Sequence, residues 1–405
     1  MLIQRIFPRF SAARCRQAAQ WLTCAGLVLL LVLSEVFSSN IQETLPAFSH
    51  WARLVLTGAA GVALSVKISL FTRYETRWQP VAVALLLGFG AFAAVFCDDL
   101  WCLLALLVGL AAKDVDLHSL LRVYVITAAA GLALVQLLHV ATSLVPYHFY
   151  CRNWDFGYGH YNGYAARLLG LVFGWAWLRL HTLRWWDWLG MGAMLVYIAL
   201  APGSRGAMLA VALLLVLLAV WRLAPKLLCK RLFSVVSLLT TPLLLAFSLV
   251  CGWFFDPEQP LLTPVLARLN GLLSGRFEIW HHVFWGFDYT HPAEDGVAAW
   301  FHGDMPSVWS LFGSLATDGD PHHAMDNTYL ATIMNKGVVG AIFLMVLLLL
   351  LLWQLLRRDR HGEVLLCLAM LVYLFFENKV FLISANPLML LLPVLLAAPP
   401  ALPRK

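Results

Sequence analysis

Apolar runs near twenty residues long recur along almost the whole chain, and short polar connections separate them. Crossing the hydrocarbon core of a bilayer takes about twenty predominantly apolar residues in a helix, because each residue advances 1.5 Å and every backbone polar group must be satisfied within the segment. The chain has 405 residues, of which 61% are hydrophobic and only 12% charged, against about 25% charged in soluble domains. The reading is an all-α polytopic integral membrane protein with about 12 transmembrane helices. The expected spans are 20–37, 51–71, 79–96, 99–112, 117–140, 162–180, 186–201, 205–222, 232–255, 328–355, 363–380 and 385–399.

The basic residues orient these spans, since short cytoplasmic loops keep Lys and Arg. Arg5, Arg9, Arg14 and Arg16 precede the first span, Arg73 and Arg77 the third, and Lys113 follows the fourth. Arg184, the group Arg222, Lys226, Lys230 and Arg231, and the group Arg357, Arg358 and Arg360 continue the alternation, which Arg404 and Lys405 complete. Connections 38–50 and 97–98 hold neither Lys nor Arg. Both termini are expected to be cytoplasmic, with residues 1–255 supplying helices one to nine and 326–405 helices ten to twelve. The first span is read as a retained anchor, because Ser38-Ser39-Asn40 offers no convincing cleavage pattern. The net charge of +6 is this bias rather than a nucleic-acid surface.

Residues 256–325 break the pattern as one large exoplasmic loop, and fixed polar groups facing a water-soluble or amphiphilic substrate belong there. The loop holds Ser274-Gly275-Arg276-Phe277-Glu278-Ile279-Trp280 and runs into Asp326-Asn327-Thr328-Tyr329-Leu330. Two further exoplasmic stretches face the same side: 141–161, with Arg152 and Asp155 leading into Gly159-His160-Tyr161-Asn162, and the short Ser204-Arg205-Gly206 connection. An arginine opening a helix opposes the helix dipole, so a bound anion between Arg205 and the free N–H groups of that turn would offset the cost. Arg276 repeats the theme. Two guanidiniums on one membrane face can clamp a diphosphate, and the alternative for each is a lipid-headgroup contact or a surface ion pair.

Two roles are open to Asp326. It stands where a helix N-cap is expected, and it is also placed to take a proton from an attacking hydroxyl. His322 and His323 are alternatives for the proton. Asp318 and Asp320 raise a metal site only weakly. Glu377 and Lys379 are expected to pair with each other or with this site, and Lys67 and Arg167 are further charges at membrane depth. The eight cysteines read as buried thiols, with a Cys151–Cys251 pair the one remote alternative.

Taken together, the Ser-Arg at the head of a central span, the Ser-Gly-Arg-x-Glu-Ile-Trp stretch, and Asp326-Asn327 followed by Gly337-x-x-Gly340 resemble the O-antigen polymerase and ligase superfamily. The resemblance implies a membrane glycosyltransferase that takes a glycan from a polyprenyl-diphosphate carrier at the outer face of the bacterial inner membrane. It implies no cofactor and no metal. Its partners are a lipid-linked glycan donor, a glycan acceptor and the bilayer, with a flippase and a chain-length regulator as neighbours. Ligases of the family carry His-Asn where this chain carries Asp326-Asn327, and the Asp-Asn-Thr-Tyr-Leu form looks more like the repeat-unit polymerases. On that resemblance Arg205 and Arg276 bind the diphosphate and Asp326 is base or positions the acceptor, while Arg152, His160, Asn162, Asn327, His322, His323 and Trp280 line the site. A transporter of lipid-linked glycans and a non-catalytic scaffold are the rival classes.

Overall fold

Side-chain caps set where several helices begin. Asp99 accepts from Cys102 N at 3.1 Å, Asp116 from His118 N and Ser119 N, and Asn327 from Tyr329 N and Leu330 N. Each satisfies N–H groups that the first helical turn leaves without partners. In this computed structural model, residues 11–150, 153–255, 263–273, 275–285, 311–312 and 326–397 are described.

The described chain is almost wholly helical. In order it comprises α1 (Ala12–Val32, extended by a π-helical turn Leu33–Phe37), α2 (Ile41–Thr44), α3 (Pro46–Val66, with a π-turn Lys67–Phe71), α4 (Trp78–Phe96), α5 (Leu100–Ala111) and α6 (Leu117–Thr142). A two-residue hairpin, Phe149–Tyr150 against Asn153–Trp154, precedes α7 (Tyr161–Arg179), α8 (Trp185–Leu200), α9 (Arg205–Leu223), α10 (Pro225–Leu228) and α11 (Arg231–Phe254). Then come α12 (Thr263–Leu272), α13 (Arg276–Trp285), α14 (Thr328–Leu356), α15 (His361–Phe376), a 3₁₀ turn Pro387–Leu391 and α16 (Pro393–Leu396).

Among the described residues, seven helices are long and apolar enough to cross a membrane: α1 and α3 with their π-turns, α4, α6, α9, α11 and α14. Their outer faces carry bare apolar side chains. Val140 on α6 and Leu223 on α9 are more than four-fifths exposed, which water would penalise and lipid would not. The protein is an α-helical, membrane-embedded protein.

The segment expected as a twelfth span, 385–399, is not a long α-helix. Pro387 and Pro393 lack the N–H that a helix interior needs, and the chain there forms a 3₁₀ turn and one α-turn packed on α5. It still travels the depth of the bundle. Arg358, just past the end of α14, donates to Ala397 O at 2.9 Å, whereas Glu377 lies at the far end of α15.

Two clusters of buried apolar residues fill the interior. The larger runs through the α1, α5, α6, α7, α9 and α15 bundle. The smaller joins Phe255, Phe277, Trp280, Tyr329, Leu330, Phe375 and Phe376, and it is the base on which α13 rests against α11. Within the region expected as a long polar loop, α13 is thus packed helix, because Phe277 and Trp280 recur on its buried face.

Candidate functional site

Arg276 opens α13, immediately after Gly275, whose φ of +77° belongs to the left-handed region that glycine enters at little cost. Asn270 fastens this junction: its carbonyl accepts from Gly275 N and its side-chain oxygen from Phe277 N, both at 2.9 Å. The Arg276 guanidinium is buried on the Phe376 ring, with its carbon 5.7 Å from the ring centroid. Its Nη2 donates to Glu377 Oε1 at 3.1 Å and to Phe376 O at 3.0 Å, and Nη1 donates to Leu273 O at 3.2 Å. Asp326 Oδ2 lies 3.7 Å from the same Nη2. Nε has no hydrogen-bond partner among the described residues.

Three charged groups from three chain segments therefore converge, and their exposures differ. Glu377 is 1% exposed at its side chain and Asp326 42%. Glu377 fixes the guanidinium from below while Asp326 faces outward beside it. Of the two partners expected for Glu377, the site is the one found.

The N-cap role belongs to Asn327. Its side chain accepts from Tyr329 N at 2.9 Å and Leu330 N at 3.0 Å, while its amide donates to Ser248 Oγ on α11 at 3.0 Å. Asn327 is fully buried. Asp326 is thereby released from capping, and its carboxylate stands beside Arg276, with Glu377 and His160 also within its electrostatic reach. Thr328 ties the same helix start to Glu377 O at 2.7 Å.

Arg205 opens α9 next to this cluster. A Cβ on the following Gly206 would lie 2.8 Å from Phe376 Cβ and 3.9 Å from Glu377 Cγ, so only glycine lets the head of α9 sit so close to the end of α15. Arg205 is exposed, and its Nη1 donates to Gly271 O in α12 at 3.2 Å.

His160 caps α7, its Nδ1 accepting from Asn162 N at 3.1 Å. The turn before it is organised by a fully buried carboxylate. Asp155 accepts from His148 N at 2.8 Å, Gly157 N at 3.0 Å, Gly159 N at 3.2 Å and Asn40 Nδ2 at 2.7 Å. Asp155, which looked like one more polar loop residue, is the pin of that turn. Burial holds the His160 imidazole below its ordinary value; Lys379 and Arg276 reinforce this, and Asp326 opposes it. The field of the Arg276 cluster therefore reaches His160. Asn162 is buried in the first turn of α7.

Trp280 is fully buried, with its ring 5.3 Å from Phe277 and 5.1 Å from Phe375. It supports the seat of Arg276 from within the smaller cluster. Arg152, His322, His323, Asp318, Asp320 and Cys151 lie outside the described residues. Among the described residues, no group of three His, Cys, Asp or Glu side chains is arranged to hold a metal ion.

One pair escaped the sequence reading. Arg167, expected only as a lone charge at membrane depth, lies 3.4 Å from Glu35 Oε2 and donates to Ser34 O at 2.9 Å and Gly163 O at 2.8 Å. Its guanidinium carbon stands 4.2 Å above the centre of the Tyr158 ring. Glu35 sits on the π-turn of α1, and π-turns recur at functional positions. An acidic residue inside an apolar first span was the available signal. Lys67 is likewise buried, donating to Lys113 O and to Thr72 Oγ1.

As chemistry, the site combines two guanidiniums at helix starts with a half-exposed carboxylate. Such a set has the chemistry to bind an oxyanion and to hold a proton acceptor beside it. Compared with family models, with curated proteins and with solved structures, the chain matches none.

Proposed function

We propose that this chain is a membrane glycosyltransferase that polymerises polyprenyl-diphosphate-linked oligosaccharide repeat units at the outer face of a bacterial cytoplasmic membrane. The observation that carries the proposal is the convergence of Arg276, Glu377 and Asp326 within 3.7 Å, with the helix start bearing Arg205 packed on Phe376. A buried cation held by one carboxylate and flanked by a second, exposed one suits a reaction in which a diphosphate leaves and a hydroxyl loses its proton. The resemblance of the Arg205, Arg276 and Asp326-Asn327 motifs to the O-antigen polymerase and ligase superfamily supplies the substrate class.

In this reading the acceptor hydroxyl oxygen attacks the anomeric carbon of the growing chain. The bond from that carbon to the diphosphate oxygen breaks, and its electron pair leaves with polyprenyl diphosphate. Arg205 and Arg276 stabilise the charge that develops on the leaving group. The hydroxyl proton passes to the Asp326 carboxylate. Glu377 acts through Arg276, keeping its guanidinium in one orientation. His160, Asn162 and Asn327 lie at helix starts beside the site, the resemblance adds Arg152, His322 and His323 from outside the described residues, and no cofactor is needed. Crossing of the layer by segment 378–397, together with the alternation of basic loops, supports about 12 crossings with both termini cytoplasmic.

The test is incubation of the purified protein in nanodiscs with the lipid-linked oligosaccharide of its own source as sole substrate, beside Arg205→Ala and Asp326→Asn. A product ladder in multiples of the repeat unit, absent from both well-folded variants, is the expected result. Transfer that appears only after a lipid A core or a protein acceptor is added would replace polymerisation with ligation. Flipping of the lipid without transfer would make the protein a transporter.

A further inference from the structure

The α4–α5 turn, the middle of α14 and the segment after α15 enclose a cavity of about 340 Å³ that none of the groups proposed above for catalysis lines. Its volume falls within the range of small-molecule sites. Asp98, Asp99, Trp101, Asn335, Asn378 and Lys379 face it. It adjoins the Arg276 site through the chain itself, since Asn378 and Lys379 directly follow Glu377.

Its charges are largely cancelled in place. Lys336, also in the wall, lies 2.8 Å from Asp99, and Arg167 in the floor is paired with Glu35. Lys379 and Asp98 then contribute one charge of each sign. A diphosphate would find no excess of cations here, in contrast to the face that carries Arg205 and Arg276. What the wall offers is carboxylates, amides, two ammonium groups and a guanidinium around an indole: acceptors and donors for many hydroxyls, and a flat apolar face.

The helix is opened at this wall. Gly337 has φ +67° and ψ −171°, which interrupts α14 directly after Lys336. Val339 N, ordinarily the partner of the Asn335 carbonyl, donates to Leu311 O at 3.2 Å. Asn335 itself is 7% exposed, and its Oδ1 has no hydrogen-bond partner among the described residues. That oxygen is closed off from water, so the part of the Asn335 side chain that lines the cavity is its amide end, a donor for a sugar oxygen.

We propose that this cavity is a carbohydrate subsite that takes an uncharged, hydroxyl-rich sugar ring, held by Asn335 and Asp98 with the ring stacked on Trp101. That the bound ring belongs to the acceptor glycan rests on the glycosyltransferase reading; that the cavity binds a sugar does not. In the transfer, a ring held here is the terminal unit of the incoming lipid-linked glycan, and α14 carries both its subsite and, eight residues earlier, the Asn327 cap beside Asp326.

The experiment is saturation-transfer NMR on the full chain in nanodiscs with D-glucose, D-galactose, D-mannose, L-rhamnose and N-acetyl-D-glucosamine as probes. At least one is expected to bind at millimolar concentration, and Asn335→Leu and Trp101→Leu to weaken it tenfold or more. Arg205→Ala is expected to leave it unchanged, and inorganic diphosphate not to displace it. Asp98→Asn and Lys379→Gln, on more accessible positions, serve where the buried variants do not fold, with a threefold or larger loss expected. Binding by none of the five sugars, binding indifferent to the variants, or displacement by diphosphate overturns the subsite. Sugar binding that Asn335→Leu abolishes without changing transfer would keep the subsite and remove its acceptor role. Sugar binding in a protein that transfers nothing would instead remove the proposed function.

Discussion

Arg276 Nη2 and Glu377 Oε1 are 3.1 Å apart, although 101 residues of chain separate the two side chains, and both are buried. Removing Glu377 leaves Arg276 with only the more distant, half-exposed Asp326 beside it, and removing Arg276 leaves the buried Glu377 without its ion-pair partner. Such a break costs about 3–5 kcal/mol, whereas replacing both with apolar side chains of similar size is often nearly neutral. Arg276→Met and Glu377→Leu are each expected to lower the thermal midpoint in detergent markedly. The double variant should recover most of that loss, so simple additivity of the two effects would show that the pair is not coupled.

Adjacent residues Asp326 and Asn327 should separate activity from stability. Asn327→Ala deletes the cap on Tyr329 N and Leu330 N and the bond to Ser248, a loss of about 1–2 kcal/mol. Asp326→Asn changes a side chain 42% exposed and is expected to stay within about 0.5 kcal/mol of the parent. In the transfer assay the order reverses: Asp326→Asn should lose at least a hundredfold in rate and Asn327→Ala far less. Comparable stability losses in the two variants would return the capping role to Asp326.

Gly337 adopts φ +67° and ψ −171°, a backbone region that other residues enter at about 1–3 kcal/mol. Gly337→Ala should therefore destabilise the protein by that amount or straighten α14. A straightened helix would close the cavity beside Asn335, and hydrogen exchange at Val339 reads the two outcomes apart.

His160 gives stability a pH dependence of definite sign. Burial holds its folded value below the ordinary 6.5, so between the two values the unfolded chain binds the proton and the folded chain does not. Stability from this group is complete above about 6.5 and falls as pH drops through that window. Protonation also ends the acceptance by Nδ1 from Asn162 N. His160→Asn keeps a capping oxygen without titrating, and thermal melts between pH 7.5 and 5.5 should show a shallower pH slope for the variant than for the parent.

Helix identity along this chain was legible because lipid imposes length and apolarity residue by residue. Polar residues at span starts were legible as well, which singled out Arg205 and Asp326, while Arg276 stood out by its motif within the long loop. What lay beyond reach was pairing. Glu377 was expected to pair either with Lys379 or with this site, but nothing local says that Arg276 is the group it meets, or that Glu35 on the π-turn of α1 faces Arg167 on α7. The assignment of the cap depended on one residue of phase: either Asp326 or Asn327 suits the position, and burial of Asn327 against Ser248 decides it. Pro387 and Pro393 were visible signals that the last apolar stretch is not a regular helix, and its apolarity outweighed them.

The bond from Val339 N to Leu311 O joins the broken middle of α14 to a segment that sequence alone assigns to the outer loop, and Phe312 reaches the Phe92 ring of α4, 6.0 Å away. Anyone trimming the stretch between α13 and α14 to obtain a smaller, better-behaved protein would thus be cutting into the membrane domain's own wiring. A shortened chain without Leu311 and Phe312 would have to find another acceptor for an N–H in the middle of a helix, at a depth where water is scarce.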